Sequence, residues 1–239
     1  MILTVVEFLA VLVLIGTATI IGGVRYFNLS SKVLTIAFAL TAASWFAFLV
    51  AAISILGWWR IALFDRSKSG PRWVWILPAV IVGIILNNFL GLKSARLSPE
   101  LLLWSTLGAV GVGFGEEMIT RGSMIVGLRS RYSEVRVWLI STALFSALHV
   151  PNVIFGLPLW GMPVQVLLTF IYGSGMYAIR RNSGTLILPM ALHGLWDSSL
   201  FLSVAMGVTP SAVQFAVYPL AIACAIAVLL KNRQPNDHT

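Results

Sequence analysis

Charge is what this sequence has least of. Lys, Arg, Asp and Glu make up 10% of its 239 residues, against a hydrophobic share of 59%, and the mean hydropathy is +0.93. A water-soluble domain carries charge on about a quarter of its residues, so that class is excluded. Cysteine is nearly missing as well. Cys224 stands alone, which rules out an internal disulfide. There is no internal repeat, no low-complexity tract, and no polar linker long enough to separate domains. The short alternating segments that would line a membrane β-barrel are also lacking.

Long apolar runs take their place. Stretches of the roughly 20 residues needed to cross a bilayer recur from end to end, near Ile2–Val24, Val33–Gly57, Trp73–Leu92, Leu101–Leu128, Val137–Phe155, Pro163–Ile179, Thr185–Ala205 and Ala212–Leu230. The expected fold is all-α, a polytopic membrane bundle of about eight transmembrane helices. The first run has no basic n-region and is long for a signal peptide, so it reads as a retained helix. One membrane domain is expected, with N-terminal helices in residues 1–100, a core in 101–205, and the last helix and a cytoplasmic tail in 206–239. The loop from Arg60 to Arg72 is its most linker-like segment, and the tail with His238 reads as frayed.

The net charge of +8 is explained by where the basic residues sit. With the N-terminus inside, one set of loops holds Arg60, Arg66, Lys68, Arg72, Arg129, Arg131, Arg136, Arg180, Arg181, Lys231 and Arg233; the other holds Arg25, Lys32, Lys93 and Arg96. This asymmetry predicts a multi-pass protein with both termini in the cytoplasm. It makes membrane lipids the partner of the basic residues and excludes nucleic acid. Trp58, Trp59, Trp73, Trp75, Trp104, Trp138 and Trp160 fall at span ends, where an aromatic belt belongs.

Against this background a few residues are out of place. Ionisable groups within a bilayer cost several kcal/mol each, so their presence points to function. Glu7 can reach the interface. Glu116, Glu117 and Arg121 in the fourth span, His149 in the fifth, and His193 with Asp197 in the seventh cannot. At 1.5 Å per residue, Glu116 lies roughly 20 Å from Arg129, His149 roughly 18 Å from Val137, and His193 roughly 12 Å from Thr185. All three distances run from the same side, so three helices can bring these groups to one depth. Glu117 with Arg121, Phe145 with His149, and His193 with Asp197 each share a helix face. Glu116 and Glu117 point about 100° apart, so one faces the cavity and the other can pair with Arg121. Gly108, Gly111, Gly113 and Gly115 strip side chains from the helix just before the acids, so a neighbouring backbone can approach.

Singly, each residue has a plainer explanation. His149 alone reads best as a core histidine bonded to a backbone carbonyl, Glu117 with Arg121 reads equally as a self-neutralising pair, and a helix-packing hydrogen bonder is the lesser alternative for Asp197. It is the shared depth that joins them. Such a cluster supports hydrolysis in two versions. A carboxylate beside a histidine can take a proton from a trapped water. Alternatively, two histidines and an acid can hold a divalent metal such as Zn²⁺ that acidifies the water, with a second acid as base.

Glu116-Glu117-Met118-Ile119-Thr120-Arg121 reads EExxxR, Phe145-Ser146-Ala147-Leu148-His149 reads FxxxH, and His193-Gly194-Leu195-Trp196-Asp197 reads HxxxD. In this order, and with Arg181–Pro189 leading into the last motif, they resemble the CPBP family of intramembrane proteases, which includes type II CAAX prenyl endopeptidases, bacteriocin-processing and abortive-infection-like proteins. The resemblance covers roughly Leu101–Ala205. It implies a membrane endopeptidase with a cytoplasm-facing catalytic cavity in a prokaryotic plasma membrane, acting on a membrane-associated protein or peptide, prenylated in one branch. It casts Glu116 as general base with His149 as its partner, His193 and Asp197 as metal ligands or oxyanion stabilisers, and Glu117 and Arg121 as positioning residues. If there is a metal, His149, His193 and Asp197 are its expected ligands. The last position is often Asn in the family and here is Asp197, which weakens a donor role and favours metal ligation. The competing class is a non-catalytic immunity or scaffold protein, or a proton-linked transporter, that keeps the fold. A transporter would show two related halves with broken helices, and no such duplication is present.

Overall fold

The computed structural model describes residues 32–65, 68–92, 97–154 and 156–232. The expected span Ile2–Val24, with Glu7, and the tail with His238 lie outside these. In chain order the helices are α1 (Lys32–Leu56), a short α2 (Trp59–Leu63), α3 (Ile76–Gly91) entered through a 3₁₀ turn Arg72–Trp75, α4 (Pro99–Glu117), a π turn (Met118–Ser123), α5 (Met124–Arg129), α6 (Glu134–Ala147), a 3₁₀ turn (Val150–Val153), α7 (Gly161–Ser183), α8 (Ile187–Ala205), a 3₁₀ turn (Ala212–Ala216) and α9 (Val217–Lys231). The protein is all-α and multi-pass. Four helices among the described residues are long and apolar enough to cross a membrane: Arg72–Gly91, Gly161–Ser183, Ile187–Ala205 and Ala212–Lys231.

Two other expected spans take different forms. The run expected at Leu101–Leu128 is one helical rod from Pro99 to Arg129, interrupted by the π turn. Its start is fixed by Ser98, whose Oγ accepts from the Leu101 N–H at 3.1 Å, with Pro99 in the first turn and Glu100 near the positive end of the helix dipole. The run expected at Val137–Phe155 ends as an α-helix at Ala147. Pro151 has no N–H to continue the ladder and biases the residue before it away from helix, so the chain turns there. His149 therefore sits just past the helix end and not at mid-helix.

The distribution of polarity is that of a membrane protein. Leu40, Ile55, Leu86, Leu103, Leu167 and Leu230 face outward, whereas Asn88, Ser105, Ser141, Thr142, Ser174, Ser199 and Ser203 are buried. An apolar exterior around a polar interior is what lipid as solvent requires, since hydroxyls and amides can then bond between helices. Trp73, Trp75 and Trp160 are exposed, as expected of belt residues. Trp138 instead turns its indole N–H inward to the Ser174 hydroxyl, 3.1 Å away.

Glycine sets the tightest crossing. A Cβ at Gly113 would lie 2.7 Å from Gly194 Cα and 3.0 Å from the Met190 carbonyl, and one at Gly194 would lie 3.1 Å from Val110 Cα. Hence α4 and α8 meet backbone to backbone, beside His193 and one turn before Glu116. On the other flank α1 packs against α4, with Ala42 against Gly111 and the rings of Phe46 and Phe114 4.3 Å apart.

At one end of the bundle the loop read as linker-like is tied down. Leu186 N–H donates to Leu63 O (2.7 Å), Asp65 N–H to Gly184 O (3.0 Å) and Ser69 N–H to Arg181 O (2.8 Å), strapping this segment across the α7–α8 turn. Gly184 makes that turn at φ 76°, a left-handed conformation that suits glycine. Asp65, 1% exposed, takes Arg129 at 2.8 Å, Arg181 at 2.9 Å and Arg180 at 3.1 Å. Glu134 adds a second carboxylate, accepting from Arg129 at 2.6 Å and from the Tyr177 hydroxyl. Burial alone would raise the Asp65 carboxyl, but the charge of Arg180 and the bonds from Arg129 and Arg181 outweigh it and hold the group well below the usual carboxylate range. Glu134 is likewise lowered, with burial opposed by Arg129, Tyr177 and Arg181. Arg129, Arg180 and Arg181 are thus gathered around one carboxylate, with Lys231 Nζ donating to Gly70 O at 3.0 Å.

Candidate active site

The six ionisable residues singled out in the sequence meet where α4, the π turn, the end of α6 and α8 converge. Glu117, Arg121 and His193 form a sealed floor. Glu117 Oε1 accepts from Arg121 Nη1 at 3.2 Å and from His193 Nδ1 at 3.0 Å. Arg121 also donates to Thr120 Oγ1 at 2.8 Å and lies over the Phe145 ring, 3.8 Å from its centroid. The guanidinium is therefore held by a carboxylate and an aromatic face together. Gly173 makes room for it, since a side chain there would run into Arg121 Nη2 and Phe145.

Glu116, His149 and Asp197 form the more open layer. Glu116 Oε2 lies 3.8 Å from His193 Nε2 and 4.0 Å from His149 Nε2, and His193 Nε2 lies 3.6 Å from Asp197 Oδ2. These separations exceed a direct hydrogen bond. Glu116 Oε2 is buried without a hydrogen-bond partner among the described residues.

The imidazoles are oriented from behind. His149 Nδ1 lies 3.1 Å from the Phe145 carbonyl, an acceptor that assigns the proton to Nδ1 in the neutral ring and leaves the Nε2 lone pair toward Glu116. His193 Nδ1 is assigned its proton by Glu117 in the same way, so its Nε2 also faces Glu116. Two of the three plain readings of the sequence, a histidine bonded to a backbone carbonyl and a Glu–Arg pair, match contacts in the structure. They are the supports of the cluster and not alternatives to it. The π turn begins directly after Glu117. Such turns recur at functional sites because they re-aim the side chains on one flank.

Residues 98–199 match the family model described as type II CAAX prenyl endopeptidase Rce1-like. The chain carries an Rce1-like domain of this CPBP family. That family is one of proteases, and all six clustered residues lie inside the Rce1-like domain. No curated protein matches the chain.

His149, His193 and Asp197, the expected metal ligands, are brought to one place, and their chemistry suits Zn²⁺. Their placement does not fit one. Among the described residues no group of three or more His, Cys, Asp or Glu side chains is arranged to hold a metal ion.

Sequence reasoning missed Tyr172 in the Rce1-like domain. It is buried, and its ring lies 5.5 Å from that of His193 and 5.3 Å from that of Trp196. An uncharged tyrosine in an apolar span is unremarkable, so no pattern could have found it. Thr120 was missed for the same reason.

Proposed function

We propose that the chain is an intramembrane endopeptidase that hydrolyses a peptide bond of a membrane-associated substrate, with Glu116 as general base. The observation that carries this reading is Glu116 Oε2, unpartnered between two imidazole nitrogens 3.8 and 4.0 Å away. A water in that gap donates one hydrogen bond to Glu116 Oε2 and the other to His149 Nε2. His149 Nε2 accepts one of its protons and aims its lone pair, while Glu116 takes the other as the oxygen attacks the scissile carbonyl. The carbonyl π pair moves onto oxygen. When the tetrahedral adduct collapses that pair returns, the C–N bond breaks, and the proton on Glu116 passes to the departing amine. Glu117 locks the tautomer of His193, and Arg121 balances the Glu117 charge. His193 and Asp197 line the side where the substrate carbonyl lies.

The same reading places eight helices in the membrane, the Asp65–Arg end of the bundle in the cytoplasm, and the site open toward that side. Prenylated C-terminal peptides are the substrate class to test first, given the family. Purified protein in liposomes is incubated with a farnesylated fluorogenic CAAX-type peptide and with its unprenylated counterpart. Glu116→Gln is expected to slow cleavage of the accepted peptide by ~10³-fold, within the usual range for loss of a general base. Cleavage by Glu116→Gln at the wild-type rate would remove Glu116 from the mechanism.

A further inference from the structure

Hydrolysis builds negative charge on the carbonyl oxygen, and that charge needs hydrogen-bond donors. The groups already described are short of them. An ionised Asp197 only accepts. The Nδ1 protons of His149 and His193 are committed to Phe145 O and Glu117, and Arg121 Nη1 to Glu117 and Thr120. Arg121 Nε and Nη2 have no hydrogen-bond partner among the described residues, but the guanidinium is stacked on Phe145 with Nη2 packed against Gly173 in the floor of the cluster.

Tyr172 offers what is missing. It stands on α7, with its ring edge-on to His193 and tilted against Trp196. Gly173 lets α7 lie flush against Arg121 and Phe145. The residue is 7% exposed, and its hydroxyl is buried with no hydrogen-bond partner among the described residues. It lies within electrostatic reach of Asp197 and Glu117. Leaving such a group unbonded costs ~1–3 kcal/mol, and for packing alone Phe would serve better.

We propose that Tyr172 is a further catalytic residue, whose phenolic O–H donates to the substrate carbonyl oxygen as it becomes an oxyanion. The phenol keeps its proton throughout, donating a hydrogen bond that strengthens as the π pair moves onto oxygen and weakens when the pair returns. This rests on the endopeptidase reading above.

The test compares wild type, Tyr172→Phe and Glu116→Gln on the farnesylated fluorogenic peptide, with thermal unfolding of each in detergent. Tyr172→Phe is expected to lower kcat by ~10²-fold, the scale for one oxyanion donor, with KM little changed. Its unfolding midpoint should equal or exceed that of wild type, because the lost hydroxyl had no partner. A wild-type kcat in Tyr172→Phe overturns the proposal. So does a lower midpoint, which would show the hydroxyl bonded in the resting protein. Equal inactivity of wild type and Glu116→Gln overturns the endopeptidase reading instead, and this proposal with it.

Discussion

Substituting Gly113 by Ala tests whether the α4–α8 crossing sets the geometry of the site. The new Cβ would stand 2.4 Å from Gly194 N, 2.7 Å from Gly194 Cα and 3.0 Å from Met190 O. Ordinary contact of carbon with carbon or nitrogen begins near 3.5 Å, so the helices must separate by ~1 Å at this point. All three contacts are backbone, and no side chain can rotate away. His193 precedes Gly194, and Glu116 follows Gly113 by less than one turn. The 3.8 Å gap between Glu116 Oε2 and His193 Nε2 should therefore widen by a similar amount, moving a water held there away from the substrate carbonyl. Displacement of about 1 Å at a reacting centre costs ~10²-fold in rate, and overpacking costs ~1–3 kcal/mol in stability. Gly83→Ala is the control, since a Cβ there has nothing within 4 Å and Ala in a helix interior is favoured over Gly by about 0.5–1 kcal/mol. Peptide cleavage and unfolding midpoints of the two variants in detergent decide the matter. A Gly113→Ala protein as active as Gly83→Ala would show that the close approach is not what positions the pair.

Asp65→Asn leaves three guanidinium groups around a neutral amide and is expected to cost ~3–5 kcal/mol, read as a lowered unfolding midpoint with little change in KM. Because folding depresses the titration of Asp65 and Glu134, the stability they contribute is fully present above the ordinary carboxylate range and is lost as pH falls below about 4. A pH series of unfolding midpoints should stay flat from neutral to about pH 5 and drop below it, with a smaller drop in Asp65→Asn. Dialysis against a chelator is expected to leave cleavage intact if water between Glu116 and the imidazoles is the nucleophile. Loss of activity with recovery on Zn²⁺ would replace that route with a metal-assisted one.

The features of the site most legible in the sequence were the ones lipid makes expensive. Glu116, Glu117, Arg121, His149, His193 and Asp197 stand out because an apolar span has few reasons to hold them, and counting residues from the basic flanks brought them to one depth. The glycines before Glu116 were also readable as a packing face, although their partner, Gly194, was not. Two things were hidden for physical reasons. Helix interruptions depend on local backbone balance, so the π turn and the early end of α6 were invisible beneath continuous hydropathy; Pro151 was the one signal available for the latter. The Asp65 knot was hidden because a charged loop looks solvated until its partners are known. Arg180, counted as a flanking charge, proves fully buried. Asn88, by contrast, bonds a neighbouring helix at Ser199, as a buried amide in a span ordinarily does.

The π turn at Met118–Ser123 has a consequence for how related sequences are aligned. It amounts to one residue inserted into an α-helix, so, against an unbroken helix of the same sequence, everything before it is rotated by ~100° relative to α5. Deleting a single residue between Glu117 and Met124 would let the rod relax to an unbroken α-helix. The two glutamates and the basic flank at Arg129 would keep their present faces, while Arg121, inside the turn, would be re-aimed. Spacing within EExxxR is therefore a statement about rotational phase as well as residue identity. A homologue with the same letters one position out of step would carry the motif without its site.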